Sequence, residues 1–419
     1  MKRSTTTLRL AALASASALV IAACGGGDEG SDSKDKEVAK GDGEFVVGSL
    51  LPQTGSLAFL GPPEFAGVDL AVKEINEAGG VLGKDARHVK GDSGDTDSGI
   101  APTEADKLIK AKSDVIVGAA SSGVSMTVID KILGAGVVQY SPANTSTDFD
   151  EGKYGKPDLY FRTAPSDVLQ GAVMANLLVE DGRQNVAILA RQDSYGETLA
   201  EQVKSGLEAA GSKVAVTSFY GEKAPSYDAQ VDEVAASKPD AVVLIAFDET
   251  KKIVPQLVGK GVGPQDVATY FVDGNLADYS GDPFAAQLKG TKGTLPGAEA
   301  TDDFRKRLLE VDPKLKDYSY AAESYDAVVT SALAAIKADN DSGEAIAKEL
   351  PGITKGGEKC TTFKQCADLL KDGKDIDYDG VSGPIEMSDT GSPTSASIGI
   401  YQYDNKGTYK SVKYIAGEI

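Results

Sequence analysis

Residues 115–140 read VIVGAASSGVSMTVIDKILGAGVVQY, and their hydrophobic pattern changes character three times. Val115 to Val117 is a continuously apolar, β-branched run, as expected of a strand covered on both faces. Gly118-Ala119-Ala120-Ser121-Ser122-Gly123 is small and polar, Val124 to Leu133 carries a helical pattern, and Val137 to Tyr140 is apolar again. Strand, loop, helix and strand in so short a stretch make a βαβ unit with parallel strands. The same alternation extends in both directions at intervals of roughly 25 to 30 residues. It predicts further strands over 45–48, 186–189, 214–219, 241–245 and 270–272. The clearest helix carries Phe65, Val68, Val72 and Ile75 on one stripe, with Glu64 in its first turn and Gly79-Gly80 at its end. Past Gly383 the pattern becomes alternating and Tyr-rich, which predicts a terminal hairpin over 398–403 and 408–415 around Asp404-Asn405-Lys406-Gly407. The fold class is α/β, and a chain of 419 residues exceeds what one core organises, so two lobes are expected.

The N-terminus has the order of an export signal: Lys2, Arg3 and Arg9, an apolar run from Leu10 to Ala22, and Cys24 behind Ile21-Ala22-Ala23. The run is shorter than the ~20 residues a membrane-crossing helix needs. Ile21-Ala22-Ala23-Cys24 is similar to the lipobox of bacterial lipoproteins, a resemblance that makes Cys24 the lipid attachment site and 1–23 the cleaved signal peptide. Residues 24–44, rich in Gly, Ser, Asp and Lys, read as a flexible tether. A lipid-anchored, extracytoplasmic location follows.

The net charge is −20, which disfavours nucleic acid and anionic lipid as partners. Cys360 and Cys366 are the other two cysteines, and in a chain that leaves the reducing cytosol they are expected to form a local disulfide. His88 is the single histidine, which removes His-based triads and most zinc hydrolase sites. Gly91-Asp92-Ser93-Gly94 echoes a protease nucleophile segment without any supporting framework and reads as a polar loop. Asp375-x-Asp377-x-Asp379-Gly380-x5-Glu386 matches a calcium loop, yet Pro384 lies inside it and Met387 to Pro393 cannot form the exiting helix. A structural turn is the expectation there. No phosphate-binding glycine motif and no CxxC are present. Neither an enzyme nor a cofactor or metal is indicated.

In open parallel sheets ligands collect beyond the carboxyl ends of the strands, where loops open into helix N-termini. Ser121 and Ser122 stand at such a place, with free amides and the positive end of a helix dipole that suit a carboxylate. N-capping by one serine is the plainer alternative. The loop Ser141-Pro142-Ala143-Asn144-Thr145-Ser146 offers carbonyls and hydroxyls, and Phe247-Asp248-Glu249-Thr250 offers a carboxylate for an ammonium group. A buried zwitterion requires both complements.

Leu51-Pro52-Gln53-Thr54-Gly55, Phe65-Ala66-Gly67, Ile75-Asn76-Glu77-Ala78-Gly79-Gly80-Val81-Leu82-Gly83, Ser141-Pro142-Ala143-Asn144-Thr145, Asp193-Ser194-Tyr195-Gly196 and Tyr325-Asp326-Ala327 occur in this order. With them the chain resembles the branched-chain amino-acid-binding proteins, the leucine/isoleucine/valine group of type I periplasmic binding proteins of ABC transporters. The resemblance implies two Rossmann-like lobes joined by a three-strand hinge with crossings near Ala164, Gly274 and Pro384. Lobe 1 would then be 45–164 with 275–384, and lobe 2 would be 165–274 with 385–419. It further implies a monomer that holds a small ligand in the cleft and delivers it to membrane permease subunits. Ser122 and Thr145 would hold the α-carboxylate, the Ala143 carbonyl and Glu249 the ammonium, Tyr195 would close from lobe 2, and Leu60 would line the side-chain pocket.

Two departures keep alternatives open. The family often has an aromatic residue where Leu60 stands, and Pro255 interrupts the helix expected after Glu249, so Asp248, Glu249 or Asp273 could pair with the ammonium. An amide, urea-like or carboxylate ligand on the same fold, and a lipoprotein that senses its ligand instead of delivering it, are the competing functions. An extracytoplasmic hydrolase lacks a nucleophile with a base.

Overall fold

The computed structural model describes residues 39–150, 159–388 and 390–419. The expected signal peptide, Cys24 and the expected tether up to residue 38 lie outside the described residues.

The first sheet has five strands, β1 (Val46–Leu51), β2 (Arg87–Asp92), β3 (Val115–Gly118), β4 (Val138–Ser141) and β5 (Tyr160–Arg162), in the order β2-β1-β3-β4-β5. All four pairings are parallel. The connecting helices are α1 (Gly61–Glu77), α2 (Ile100–Lys110) and α3 (Ser122–Gly134). β1, β3 and β4 are buried along their whole length, which explains their unbroken apolar runs. β2 and β5 escaped the sequence reading. β2 is an edge strand with a largely polar sequence, Arg87-His88-Val89-Lys90-Gly91-Asp92, and β5 is only three residues long.

The second sheet begins with β6 (Asn185–Arg191), β7 (Lys213–Tyr220), β8 (Ala241–Ile245), β9 (Ala268–Phe271) and β10 (Lys292–Pro296), which alternate with α4 (Asp167–Glu180), α5 (Ser194–Ala209), α6 (Asp228–Ala236) and α7 (Thr250–Gly259). The chain then returns to the first sheet's core with α8 (Asp302–Val311), α9 (Ala321–Ala338), α10 (Gly343–Ile353) and α11 (Phe363–Lys371). A small sheet of β11 (Glu358–Cys360), β12 (Ile376–Gly380) and β13 (Gly383–Pro384) accompanies them. The hairpin β14 (Ser395–Tyr403) and β15 (Tyr409–Glu418) completes the second sheet, whose order is β15-β14-β10-β9-β8-β6-β7.

One expected boundary moves. β10 pairs in parallel with β9 and antiparallel with β14, so the chain stays with the second sheet through Pro296 and crosses back over 297–301, not at Gly274. The Lys-Gly-Thr-Leu-Pro sequence of β10 carries no strong strand pattern, which is why the sequence did not show it. Arg162, fully buried at the end of β5, ties the other crossings together. Its guanidinium donates to Asp150 Oδ2 at 2.6 Å, Ser392 Oγ at 2.8 Å and the Ser146 carbonyl at 2.9 Å.

The acidic 375–386 segment is strand and turn. Asp377 and Asp379 both pair with Lys359, at 3.0 and 2.9 Å, and Asp375 pairs with Lys337 at 3.1 Å. Cys360 and Cys366 are joined in a disulfide that links β11 to α11. His88 is structural, held between Ser49 Oγ at 2.7 Å and Asp69 Oδ1 at 2.8 Å. Asp92 is likewise absorbed, accepting from the amides of Gln53, Thr54 and Gly94.

Candidate functional site

The ends of the two sheets face each other across a cleft, and one cavity there takes residues from both. From the first sheet's side it is lined by Leu57, Leu60, Ala120, Ser121, Ser122 and Ala143. Tyr195, Phe247, Asp273 and Gly274 come from the second sheet's side, and Tyr320 precedes α9. The space left between them is about 10 Å³, room for one water-sized sphere, so the lobes stand close together.

The first side is a laced pair of loops. At the end of β3, Gly118 has φ +131° and a Cβ there would lie 2.1 Å from the Leu50 carbonyl, so only glycine lets the chain turn beside β1. Ser121 caps α3, its Oγ accepting from the Val124 amide, while Ser122 Oγ accepts from the Ser146 amide, each at 3.4 Å. Ser141 Oγ donates to the Ala119 carbonyl at 2.7 Å. Asn144 donates from Nδ2 to the carbonyls of Ala119 and Ala120, and its Oδ1 accepts from the Tyr160 hydroxyl. Both ends of the Asn144 amide are thus engaged in holding the two loops together, and Asn144 is not among the residues that line the cavity. Thr145 is buried two residues past Ala143 in the same loop, with its hydroxyl directed to the Asp167 carboxyl. It lies close enough to Asp167 to work against the upward shift of that carboxyl, which burial pushes to about 7.

The other side centres on Asp273, just past β9. Its Oδ1 accepts from the Tyr195 hydroxyl at 2.7 Å and Gln170 Nε2 at 3.0 Å, and its Oδ2 from the Tyr320 hydroxyl at 2.7 Å. Burial raises its pKa, and these three hydrogen bonds oppose the rise. Tyr195 follows Ser194 in the first turn of α5, where Asp193 is the cap, and its ring stacks on Phe247 with centroids 5.4 Å apart.

Glu249 does not join them. Its Oε1 accepts from Arg191 Nη1 at 2.7 Å and its Oε2 from the Phe247 amide at 2.8 Å. Arg191 is itself buried, bonded also to Asp193 and Glu222, with its guanidinium 3.6 Å above the Phe247 ring. The carboxylate expected for an ammonium group is therefore turned to a buried arginine that it shares with Asp193 and Glu222, and Glu249 lines a different hollow together with Asp248. Pro255 is accommodated inside α7, five residues after its first residue, so it does not displace the helix start.

Of the residues singled out from sequence, Leu60, Ser121, Ser122, Ala143, Tyr195 and Asp273 meet in one cavity, Thr145 is turned to Asp167, and Asn144 and Glu249 serve elsewhere. The sequence reading missed Arg191, Gln170 and Tyr320. A charged residue closing the apolar strand Val186 to Ala190 was a usable signal for Arg191, whereas Tyr320 sits in a loop without pattern.

A family model described as periplasmic binding protein matches residues 44–408. The chain belongs to that family. This periplasmic binding protein is 26% identical to the "Chemotactic signal transduction system substrate-binding protein BasB" of Halobacterium salinarum over 364 residues, covering 84% of this chain and 86% of the relative. It is also 26% identical to the "Leu/Ile/Val-binding protein BraC3" of Rhizobium johnstonii, covering 86% and 92%. Among solved structures, the branched-chain amino acid substrate-binding protein LivJ of Streptococcus pneumoniae, in complex with isoleucine, superposes with a TM-score of 0.72 at 21% identity over 90% of this chain and 100% of that one. An R. palustris solute-binding protein in complex with benzoate reaches 0.70 at 17% identity, over 90% and 98%. The expected resemblance and fold class are borne out. Among the described residues no helix is long and apolar enough to cross a membrane.

Proposed function

We propose that this periplasmic binding protein is the solute-binding lipoprotein of an ABC importer, anchored through Cys24 on the extracytoplasmic face. In this reading it closes on a neutral, branched-chain amino acid and passes it unaltered to the permease. Asp273 carries the reading. Among the described residues it is the single carboxylate in a cavity otherwise lined by apolar groups, serines and tyrosines, and Ser121 and Ser122 at the start of α3 line the same cavity. An α-carboxylate would lie against Ser121, Ser122 and the α3 amides. The ammonium would lie against Asp273 and the side chain against Leu57, Leu60 and Phe247. Ionising Asp273 beside a cation recovers the cost of burying each charge alone.

A second reading has one observation in its favour. Burial raises the Asp273 pKa, and a protonated Asp273 beside Phe247 would suit a carboxylate ligand that lacks an ammonium group. Thermal unfolding with single amino acids, amides and aromatic carboxylates separates the two, because a ligand at 100 times its Kd adds about 2.7 kcal/mol to the native state. A rise in midpoint with Leu, Ile or Val supports the first reading. A rise confined to carboxylates without an ammonium overturns it.

A further inference from the structure

A second cavity, of about 460 Å³, lies at the crossing that follows β10 and borders the cleft through Tyr320, which lines both. That volume is in the usual range of small-molecule sites. Its floor is buried: Leu295 and Pro296 close β10, Gly297 opens the crossing, and Glu323 stands in the first turn of α9, 4% exposed. At Gly297 φ is +112°, and the nearest atom to a Cβ there would be Glu323 Oε1, so glycine leaves the room that this carboxyl occupies. Glu323 is met by its own backbone amide, and among the described residues no basic group lies within ion-pairing distance of it. Burial pushes it up to about 8.

The walls are aromatic. Tyr318 comes from the loop before α9, Tyr401 from β14, and Tyr409 and Tyr414 from β15. The Tyr401 ring meets Tyr409 and Tyr414 edge-on at 5.6 and 6.2 Å, and the Tyr401 and Tyr414 hydroxyls are 2.9 Å apart, so these rings brace one another. Their capacity for a cation has a precedent in the same cavity, where the Arg305 guanidinium lies 5.5 Å from the Tyr318 centroid. Lys316 and Lys410 are at the exposed rim, away from the buried floor. The acids of the lining, Asp278, Glu299, Asp317 and Glu323, outnumber its bases.

We propose that this cavity is a second small-molecule site, for an organic primary ammonium ion whose charge Glu323 neutralises and whose hydrophobic body the tyrosine rings cover. An anion would meet the Glu323 carboxyl at the floor, and an uncharged guest would leave that carboxyl with its own backbone amide and no counter-charge. The site shares only Tyr320 with the cleft and has its own counter-charge, so the two can be separated by mutation.

The test is a ligand-observed NMR titration of the intact protein with 2-phenylethylamine, whose ring and ammonium match the walls and the floor. The expected dissociation constant is on the order of 1 mM or tighter, from the binding energy a guest of this size can draw. Asp273→Asn, which alters the cleft, should bind as the wild type does. Glu323→Gln should weaken binding at least about tenfold, as should Ser411→Trp, which narrows the mouth from an exposed position on β15. The uncharged 2-phenylethanol should bind wild type correspondingly less well. Unchanged affinity in Glu323→Gln overturns the proposal, as does loss in Asp273→Asn with retention in Glu323→Gln, which would put the amine in the cleft. Absence of binding to wild type overturns it as well.

Discussion

Two carboxylates near the cleft look alike in the sequence, and burial alone does not distinguish them. Glu249 and Asp273 are both nearly inaccessible, but Glu249 is held by the Arg191 guanidinium, whereas Asp273 is held by neutral hydroxyls and an amide. Asp273 meets only neutral donors, whereas Glu249 is turned to an arginine that it shares with Asp193 and Glu222, so of the two it is Asp273 that has no cationic partner. The sequence placed both acids after strands and could not choose between them, because the choice depends on Arg191, which is distant in sequence from Glu249 and sits on the neighbouring strand β6. Asn144 shows the complementary limit, since its loop was legible but the inward direction of its side chain was not. Replacing it with alanine removes three hydrogen bonds and leaves the Ala119 carbonyl with Ser141 and Ser125 and the Ala120 carbonyl without this donor. Asn144→Ala should therefore cost about 2–3 kcal/mol of stability, measured by denaturant unfolding, and weaken ligand binding only through loosened loops.

At the scale of elements, the buried strands announced themselves and the edge strands did not. β1, β3, β4, β6 and β8 are apolar because both faces are covered. β2, β5 and β10 are short, polar or at an edge, so the same rule passes over them. The hairpin β14–β15 was legible from its alternation and turn, but its antiparallel pairing with β10, which moves the second crossing, was not. The α11 segment depends on a covalent tie, because Cys360 and Cys366 close a small ring around its N-terminus and both are buried. Replacing both with serine should lower stability by about 2 kcal/mol on loop entropy. Chemical denaturation would show this as a lower midpoint with little change in slope, and a loss below 0.5 kcal/mol would mean that the ring constrains little of the unfolded chain.

For the molecule as a whole, Leu57, Leu60, Ala120 and Ala143 from the first sheet's loops join the second sheet's hydrophobic core across the cleft, and polar contacts at the cleft mouth add to this. Thr96 Oγ1 donates to Glu222 at 3.2 Å and Lys223 pairs with Asp97 at 3.1 Å. The two-lobe architecture followed from chain length and βα repetition, while the closeness of the lobes is a tertiary property that no local pattern encodes. Stability should also depend on pH through the buried carboxyls beneath the cleft. Burial pushes Asp167 up to about 7, above the ~3.9 of an unfolded chain, so the native state keeps a proton that the unfolded chain has released. That contribution is fully present below about pH 4 and is lost as pH rises through 7, at up to about 1.4 kcal/mol per pH unit. Asp167→Asn retains an acceptor for the Thr198 hydroxyl and should show a flatter pH profile than wild type over this window. Equal slopes would mean that Asp167 is ionised in the native state. The measurement that bears most directly on the cleft is calorimetric titration of L-leucine, L-isoleucine and L-valine into wild type, Asp273→Asn and Glu249→Gln. We expect wild type and Glu249→Gln to bind within a few-fold of each other, and Asp273→Asn to lose at least about a hundredfold, the ~3 kcal/mol cost of an ammonium buried without its counter-charge. Full affinity in Asp273→Asn with loss in Glu249→Gln would contradict the assignment of Asp273 as the group that receives the ammonium.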